Sequence, residues 1–174
     1  MNTENKKYPY LPAGRSILYV DAQNQFIVKA KEVARLGSTD NLHSTGAVIV
    51  KEGVIIGEGA NHSLLGKFAW YNKRHQRGLC VRKFFNVPSG KGYWMCPGCV
   101  TNSNHAEASA VRDAHKKGND TNDADLYLWG HWWCCEPCWN AMIKAGIRNV
   151  YLLDSADDLF KRDSNKNILG RQFL

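Results

Sequence analysis

DLYLWGHWWCCEPCWNAMIKAGIRNVYLLD, residues 125–154, decides the fold. DADLYLWG gives a strand at about 125–129, CEPCWNAMIKAG gives a helix ending at Gly146, and RNVYLLD gives a second strand at about 148–153. A strand, a helix and a strand in succession form a βαβ unit. Its strands run parallel through a right-handed crossover, so the expected class is α/β. The same stretch packs three cysteines, three tryptophans and a histidine into HWWCCEPCW, 131–139, and a disulfide, a structural metal clip or a catalytic metal site would each use them differently.

Working outward, QFIVKAKEVARL at 25–36 puts Phe26, Ala30, Val33 and Ala34 at helical spacing, with Gly37 as a stop. TGAVIVKEGVIIGEG reads as two β-rich runs, 46–50 and 54–58, joined into a hairpin by Lys51-Glu52-Gly53. HAEASAVRDAHKK, from 105, is Ala-rich and helix-prone, with Ser103 and Asn104 as candidate caps and Gly118 as its end. Residues 61–104 lack periodicity and carry three cysteines; a loop of that length needs something to clip it together. The predicted order is helix, hairpin, insertion, helix, strand, helix, strand. The segment 155–174 reads as a polar tail with a short helix near 156–161.

A length of 174 residues with 44% apolar content suits one domain, 1–174, with a substantial core. MNTENKKYPYLPAGR has no apolar core of a signal peptide, and the longest apolar runs, AVIV and VYLL, are far too short for a membrane span. A soluble, cytoplasmic protein is therefore expected. In a reducing compartment its six cysteines read as metal ligands or catalytic groups rather than disulfides. The formal net charge of +7 suits an anionic partner, a nucleotide or a nucleic acid, although most modestly basic domains bind no polyanion.

Three features combine into chemistry. His105-Ala106-Glu107 opens one helix and Cys135-x-x-Cys138 opens another. Two thiolates and an imidazole suit zinc, and three protein ligands leave a fourth position for water. Glu107 lies two residues past His105, near enough to exchange a proton with that water without being a ligand. Glu107 alone would read as an exposed helix acid. A second CxxC, Cys96-Pro97-Gly98-Cys99, follows Cys80. With His75 as the nearest fourth ligand, and His62 and His43 behind it, this set predicts a second, structural metal site; the bland alternative is buried thiols packed as small hydrophobes. Arg74, Arg77, Arg82, Lys83 and Lys91 offer either a phosphate site or a solvated basic face.

At these residues the sequence resembles the zinc-dependent cytidine/deoxycytidylate deaminase superfamily, whose signature is H-[AC]-E followed by P-C-x-x-C. HAE at 105–107 matches. Aligning Pro137-Cys138 with the family's Pro-Cys would put the second thiolate at Ala141; pairing Cys135 with Cys138 keeps two thiolates, aligns A-G-I at 145–147, and leaves Cys134 where the proline usually stands. GAVIVKEGVIIGEGAN, 46–61, resembles the family's opening hairpin. CVRKFFNVPSGKGYWMC, 80–96, resembles a segment of the bacterial and archaeal dCMP-deaminase-like branch.

The resemblance spans about 25–153 and implies a three-layer α/β/α sandwich with a cysteine-containing insertion. It implies a hydrolase with catalytic zinc on His105, Cys135 and Cys138, Glu107 as proton carrier, and Asn61, Ala106, His131 and Trp132 at the substrate. The implied reaction is dCMP to dUMP plus ammonia, in a homo-oligomer. Two alternatives stay open. One is the same chemistry on another nucleobase, a nucleoside or single-stranded nucleic acid. The other is a non-catalytic nucleic-acid-binding module in which CPGC and CEPC share one metal.

Overall fold

The computed structural model describes residues 7–65, 68–87 and 92–174; Lys91 lies outside them. The chain begins with strand β1 (Ile17–Val20) and helix α1 (Gln25–Gly37), followed by the hairpin β2 (Gly46–Lys51) and β3 (Val54–Ala60). The insertion supplies α2 (Ala69–Gln76) and the single turn α3 (Val81–Phe84). Then come α4 (Ala106–Lys116), β4 (Asp125–Trp129), α5 (Glu136–Lys144), β5 (Asn149–Leu153) and α6 (Ala156–Phe160).

The five strands form one sheet in the order β1-β5-β4-β2-β3. β1, β5 and β4 run parallel, and β2 pairs antiparallel with both β4 and β3. Glu52 and Gly53 both have positive φ, 50° and 79°, the conformation of a two-residue turn that follows the twist of a hairpin. The sheet centre is apolar on both faces: Ala47, Val48, Ile49, Leu126, Leu128, Val150 and Leu152 are all buried.

Opposite faces carry different helices. A side chain at Gly46 would run into the backbone of Ala30 and Ala34, which places α1 on that face. Successive strand residues point to opposite faces. On the other face a Cβ at Gly59 would meet the backbone of Ala106 and Ala110, and one at Gly57 would meet Ala110 and Ala114. The three alanines recur every four residues along α4, so its smooth side lies almost on the β3 backbone. α5 packs beside α4. This is the expected three-layer α/β/α sandwich.

Three details differ from the sequence reading. β1 is an additional edge strand: ILYV is too short to announce itself and becomes a strand by pairing with β5. The cap of α4 is His105 rather than Ser103 or Asn104, which lie in a preceding 3-10 turn. The segment 155–174 is docked rather than trailing. Phe160 and Phe173 pack on Trp129 at ring separations of 5.1 and 5.3 Å, and buried Gln172 brackets Ser44, accepting from its N–H at 3.1 Å and donating to its C=O at 2.8 Å.

Candidate active site

Two helix starts converge at one end of the sheet. His105 caps α4 and Cys135 caps α5, each with extended backbone. The His105 side chain makes no bond to its own helix, the Cys135 thiol bonds Cys138 of α5, and the two side chains face each other. Cys138 follows one turn into α5. The Nδ1 atom of His105 lies 3.5 Å from Cys135 Sγ and 3.4 Å from Cys138 Sγ, and all three donor atoms lie within 4.8 Å of one another. A tetrahedral zinc, with bonds near 2.0 Å to nitrogen and 2.3 Å to sulfur, separates such donors by roughly 3.5 Å. The donor set and its spacing fit zinc.

Charge reinforces that fit. The Cys135 thiol is held down to about 4, first by a hydrogen bond from Cys138, then by His105 against the opposing effect of burial. Cys138, bonded to Cys135 and buried, is pushed well up. Burial opposes protonation of His105, but Cys135 and Glu107 outweigh it and raise its pKa. A divalent cation is the group that lets both sulfurs ionise together.

Glu107 lies on the first turn of α4, only 5% exposed, against the Cys138 and Cys134 thiols. Burial raises its carboxyl above the usual carboxylate range. A buried carboxyl with no ion pair among the described residues, beside a metal-ligand set, is placed for proton transfer. Cys134 is fully buried, its thiol pushed well up by burial, and it stands outside the His105 cluster.

The remaining predicted residues lie on the neighbouring segments. Asn61 is buried and works on the segment before β2: its Oδ1 accepts from Ser38 Oγ at 2.7 Å and Thr45 N at 2.9 Å, and its Nδ2 donates to His43 O at 2.9 Å. Ala106 is buried at the start of α4, its backbone close over Gly59 of β3. His131 Nδ1 accepts from the backbone of Trp132 and Trp133, and its ring stacks on His43 at 4.8 Å. Burial, then His43 and His105, hold His131 well below the usual range, so it is neutral with its proton on Nε2. The Trp132 ring carries Lys161 Nζ at 5.5 Å and lines an open hollow of about 450 Å³ with Lys7, Tyr8 and Asp158.

In the sequence His43 reads as a distant candidate ligand for the second metal. It instead stacks on His131, and its buried Nε2 has no hydrogen-bond partner among the described residues. No sequence signal pairs two histidines from separate loops. His62 bonds Ala60 O at 3.2 Å. His75, Cys80, Cys96 and Cys99 form a second cluster with donor atoms within 4.8 Å of one another. CPGC and CEPC therefore belong to different clusters, contrary to an arrangement in which they share one metal. Of the basic residues, Arg82 packs over the Tyr93 ring at 4.0 Å and Arg74 over Trp70 at 5.9 Å, while Arg77 and Lys83 are exposed.

No helix among the described residues is long and apolar enough to cross a membrane. The chain is similar to ComE operon protein 2 of Bacillus subtilis (strain 168), 27% identical over 145 residues, which are 80% of this chain and 66% of that protein. It is similar to a diaminohydroxyphosphoribosylaminopyrimidine deaminase/5-amino-6-(5-phosphoribosylamino)uracil reductase from Thermotoga maritima, at 26% identity and a TM-score of 0.42, over 73% of this chain and 28% of that one. A dCMP deaminase from the cyanophage S-TIM5, in apo form, is 21% identical with a TM-score of 0.45 over 76% of this chain and 84% of that one. The chain thus spans just under two thirds of the curated relative and a smaller part of the Thermotoga protein. Residues 20–154 match the cytidine and deoxycytidylate deaminase zinc-binding region. Running from the last residue of β1 to the residue after β5, that match takes in β2, β3, β4, β5 and both helix starts, and the chain belongs to this zinc-binding deaminase family.

Proposed function

We propose that the chain hydrolyses the exocyclic amine of a cytosine nucleotide, with dCMP as the preferred substrate and dUMP and ammonia as products. The observation that carries this reading is Glu107, a buried carboxyl against the cluster of His105, Cys135 and Cys138. Zinc held by those three residues would supply a Lewis acid that makes water nucleophilic near neutral pH. Glu107 accepts a proton from the attacking water, delivers it to ring N3, and passes a second proton to the amine leaving C4. The oxygen gained at C4 comes from water, and the nitrogen leaves as ammonia.

Asn61 fixes the 38–45 segment at the mouth of β2, and neutral His131 presents an Nε2 donor for the base. Dense aromatic surroundings at 131–133 suit a stacked pyrimidine. The choice of dCMP rests on the likeness of residues 80–96 to the dCMP-deaminase-like branch. Cytoplasmic location and homo-oligomerisation belong to the same reading. The net charge of +7, with the tryptophans near the site, favours a single-stranded nucleic acid as the second reading.

The test is ammonia release from dCMP, cytidine, guanine and single-stranded DNA by wild type and by Glu107→Gln. We expect release from dCMP, and a loss of about 10³-fold or more in Glu107→Gln, the scale of a group that acts as both acid and base. Bound zinc should be unchanged in that variant. No ammonia from any substrate removes the enzymatic reading; activity that survives Glu107→Gln removes the mechanism.

A further inference from the structure

We infer that the chain holds a second metal ion, a zinc bound by His75, Cys80, Cys96 and Cys99 in a closed structural site. The four donor atoms lie within 4.8 Å of one another, with Cys99 Sγ 3.6 Å from both Cys80 Sγ and His75 Nε2. A disulfide would bring two sulfurs to about 2.05 Å, and all six cysteines are free. Sulfurs on a tetrahedral zinc stand roughly 3.8 Å apart, and sulfur and nitrogen roughly 3.5 Å. Three thiolates and an imidazole select zinc over magnesium or calcium, which take oxygen. Four protein donors leave no position for water or substrate, so the ion holds structure rather than doing chemistry.

The local backbone is built for this. Cys99 N–H donates to Cys96 O at 2.9 Å, closing Cys96-Pro97-Gly98-Cys99 into a tight turn that aims two sulfurs the same way. Gly98 must be glycine there, because a Cβ would strike the His75 ring and Tyr71. α2 brings His75 to the cluster from its last turn, and Cys80 caps α3.

Apolar packing does not account for the cohesion of this region. Among the described residues the three cysteines form a small buried cluster of their own, with Tyr93 packed against it and Tyr71 stacked on His75. Trp70, Leu79, Phe84, Phe85 and Trp94 are exposed, Phe84 and Trp94 each at 81%, and α3 buries no residue. Three thiols and a pair of tyrosine rings are too small a core to order two helices and their connections. Four metal bonds are enough, because the energy of metal binding becomes energy of folding.

The site also has a neighbour of the right charge. Zinc with three thiolates and a neutral imidazole carries one net negative charge. Arg82 Nη1 lies 3.7 Å from Cys99 Sγ, and its guanidinium stacks on Tyr93 at 4.0 Å. The Tyr93 ring in turn meets the His105 ring edge-on at 6.0 Å. The second ion therefore anchors the wall of the insertion that touches the proposed catalytic ligand.

Zinc content per chain, measured by mass spectrometry on protein purified without added metal, tests this. Wild type should hold two zinc ions, Cys96→Ser one, and Cys135→Ala one. Should Cys96→Ser fail to fold, wild type and Cys135→Ala decide alone. One zinc in wild type and none in Cys135→Ala overturns the second site, as does an unchanged count in a folded Cys96→Ser. The catalytic reading fails separately, through a Cys135→Ala variant that keeps both ions.

Discussion

Cys134 and Cys135 are adjacent, yet the fold gives them opposite surroundings. Cys135 caps α5 and faces His105, whereas Cys134 is sealed in the core against Glu107. Cys134 lies outside the set of donor atoms gathered around His105, so it has no share in that metal site. Cys134→Ala should therefore keep the full zinc content and cost about 1 kcal/mol for the lost core volume. Cys135→Ala should lose one zinc per chain. Zinc loss in Cys134→Ala with retention in Cys135→Ala would move the ligand set by one residue and undo the proposed register. The clustering of His105 with Cys135 and Cys138 was legible in the sequence, because motif spacing fixes which residues start the two helices. The His43–His131 stack was not, since it joins loops 88 positions apart and carries no periodic signal. Asn61 likewise shows its hydrogen bonds to Ser38, Thr45 and His43 only once the loops are folded.

Among the elements, α4 depends on the absence of side chains beneath it. Gly59 sits under Ala106 and Ala110, so the approach of α4 to β3 fixes where His105 and Glu107 stand. Gly59→Ala should overpack this contact by about 2 kcal/mol, lowering Tm by about 4–8 °C. Because the strain falls on the first turn of α4, the zinc bound at His105 should exchange faster as well. A thermal melt matching wild type would show that α4 can shift without cost. The hairpin, α4 and the β4-α5-β5 unit were readable because each carries its own period and turn residues. β1 was not, since four residues become a strand only once β5 is beside them. The insertion defeated periodicity for a different reason: Trp70 of α2 and Val81 and Phe84 of α3 are exposed, and the cysteines, rather than a buried stripe, bring the helices together. The segment 155–174 looked polar because its anchors, Phe160, Gln172 and Phe173, are spread through charged sequence.

At the scale of the whole molecule, the choice of substrate becomes a question of charge. A net charge of +7 would attract any phosphate, but the insertion does not leave all its cations equally available. Arg82 is engaged by Cys99 and Tyr93 and Arg74 lies over Trp70, whereas Arg77 and Lys83 are exposed. One or two such cations can meet a single nucleotide phosphate, and a charge-assisted hydrogen bond contributes about 1.5–3 kcal/mol. That energy corresponds to a preference of roughly 10–100-fold in kcat/KM for dCMP over cytidine. The salt dependence should be correspondingly shallow. A single strand held through about four phosphates would release counterions and lose roughly 50-fold in affinity between 50 and 200 mM salt, whereas a mononucleotide has too few charges to do so. Measuring kcat/KM for dCMP, cytidine and a single-stranded oligonucleotide across that salt range separates the two readings. Equal rates on cytidine and dCMP would discard the phosphate contact. A better rate on the oligonucleotide with a steep salt slope would make the basic insertion a nucleic-acid surface and the polynucleotide the substrate.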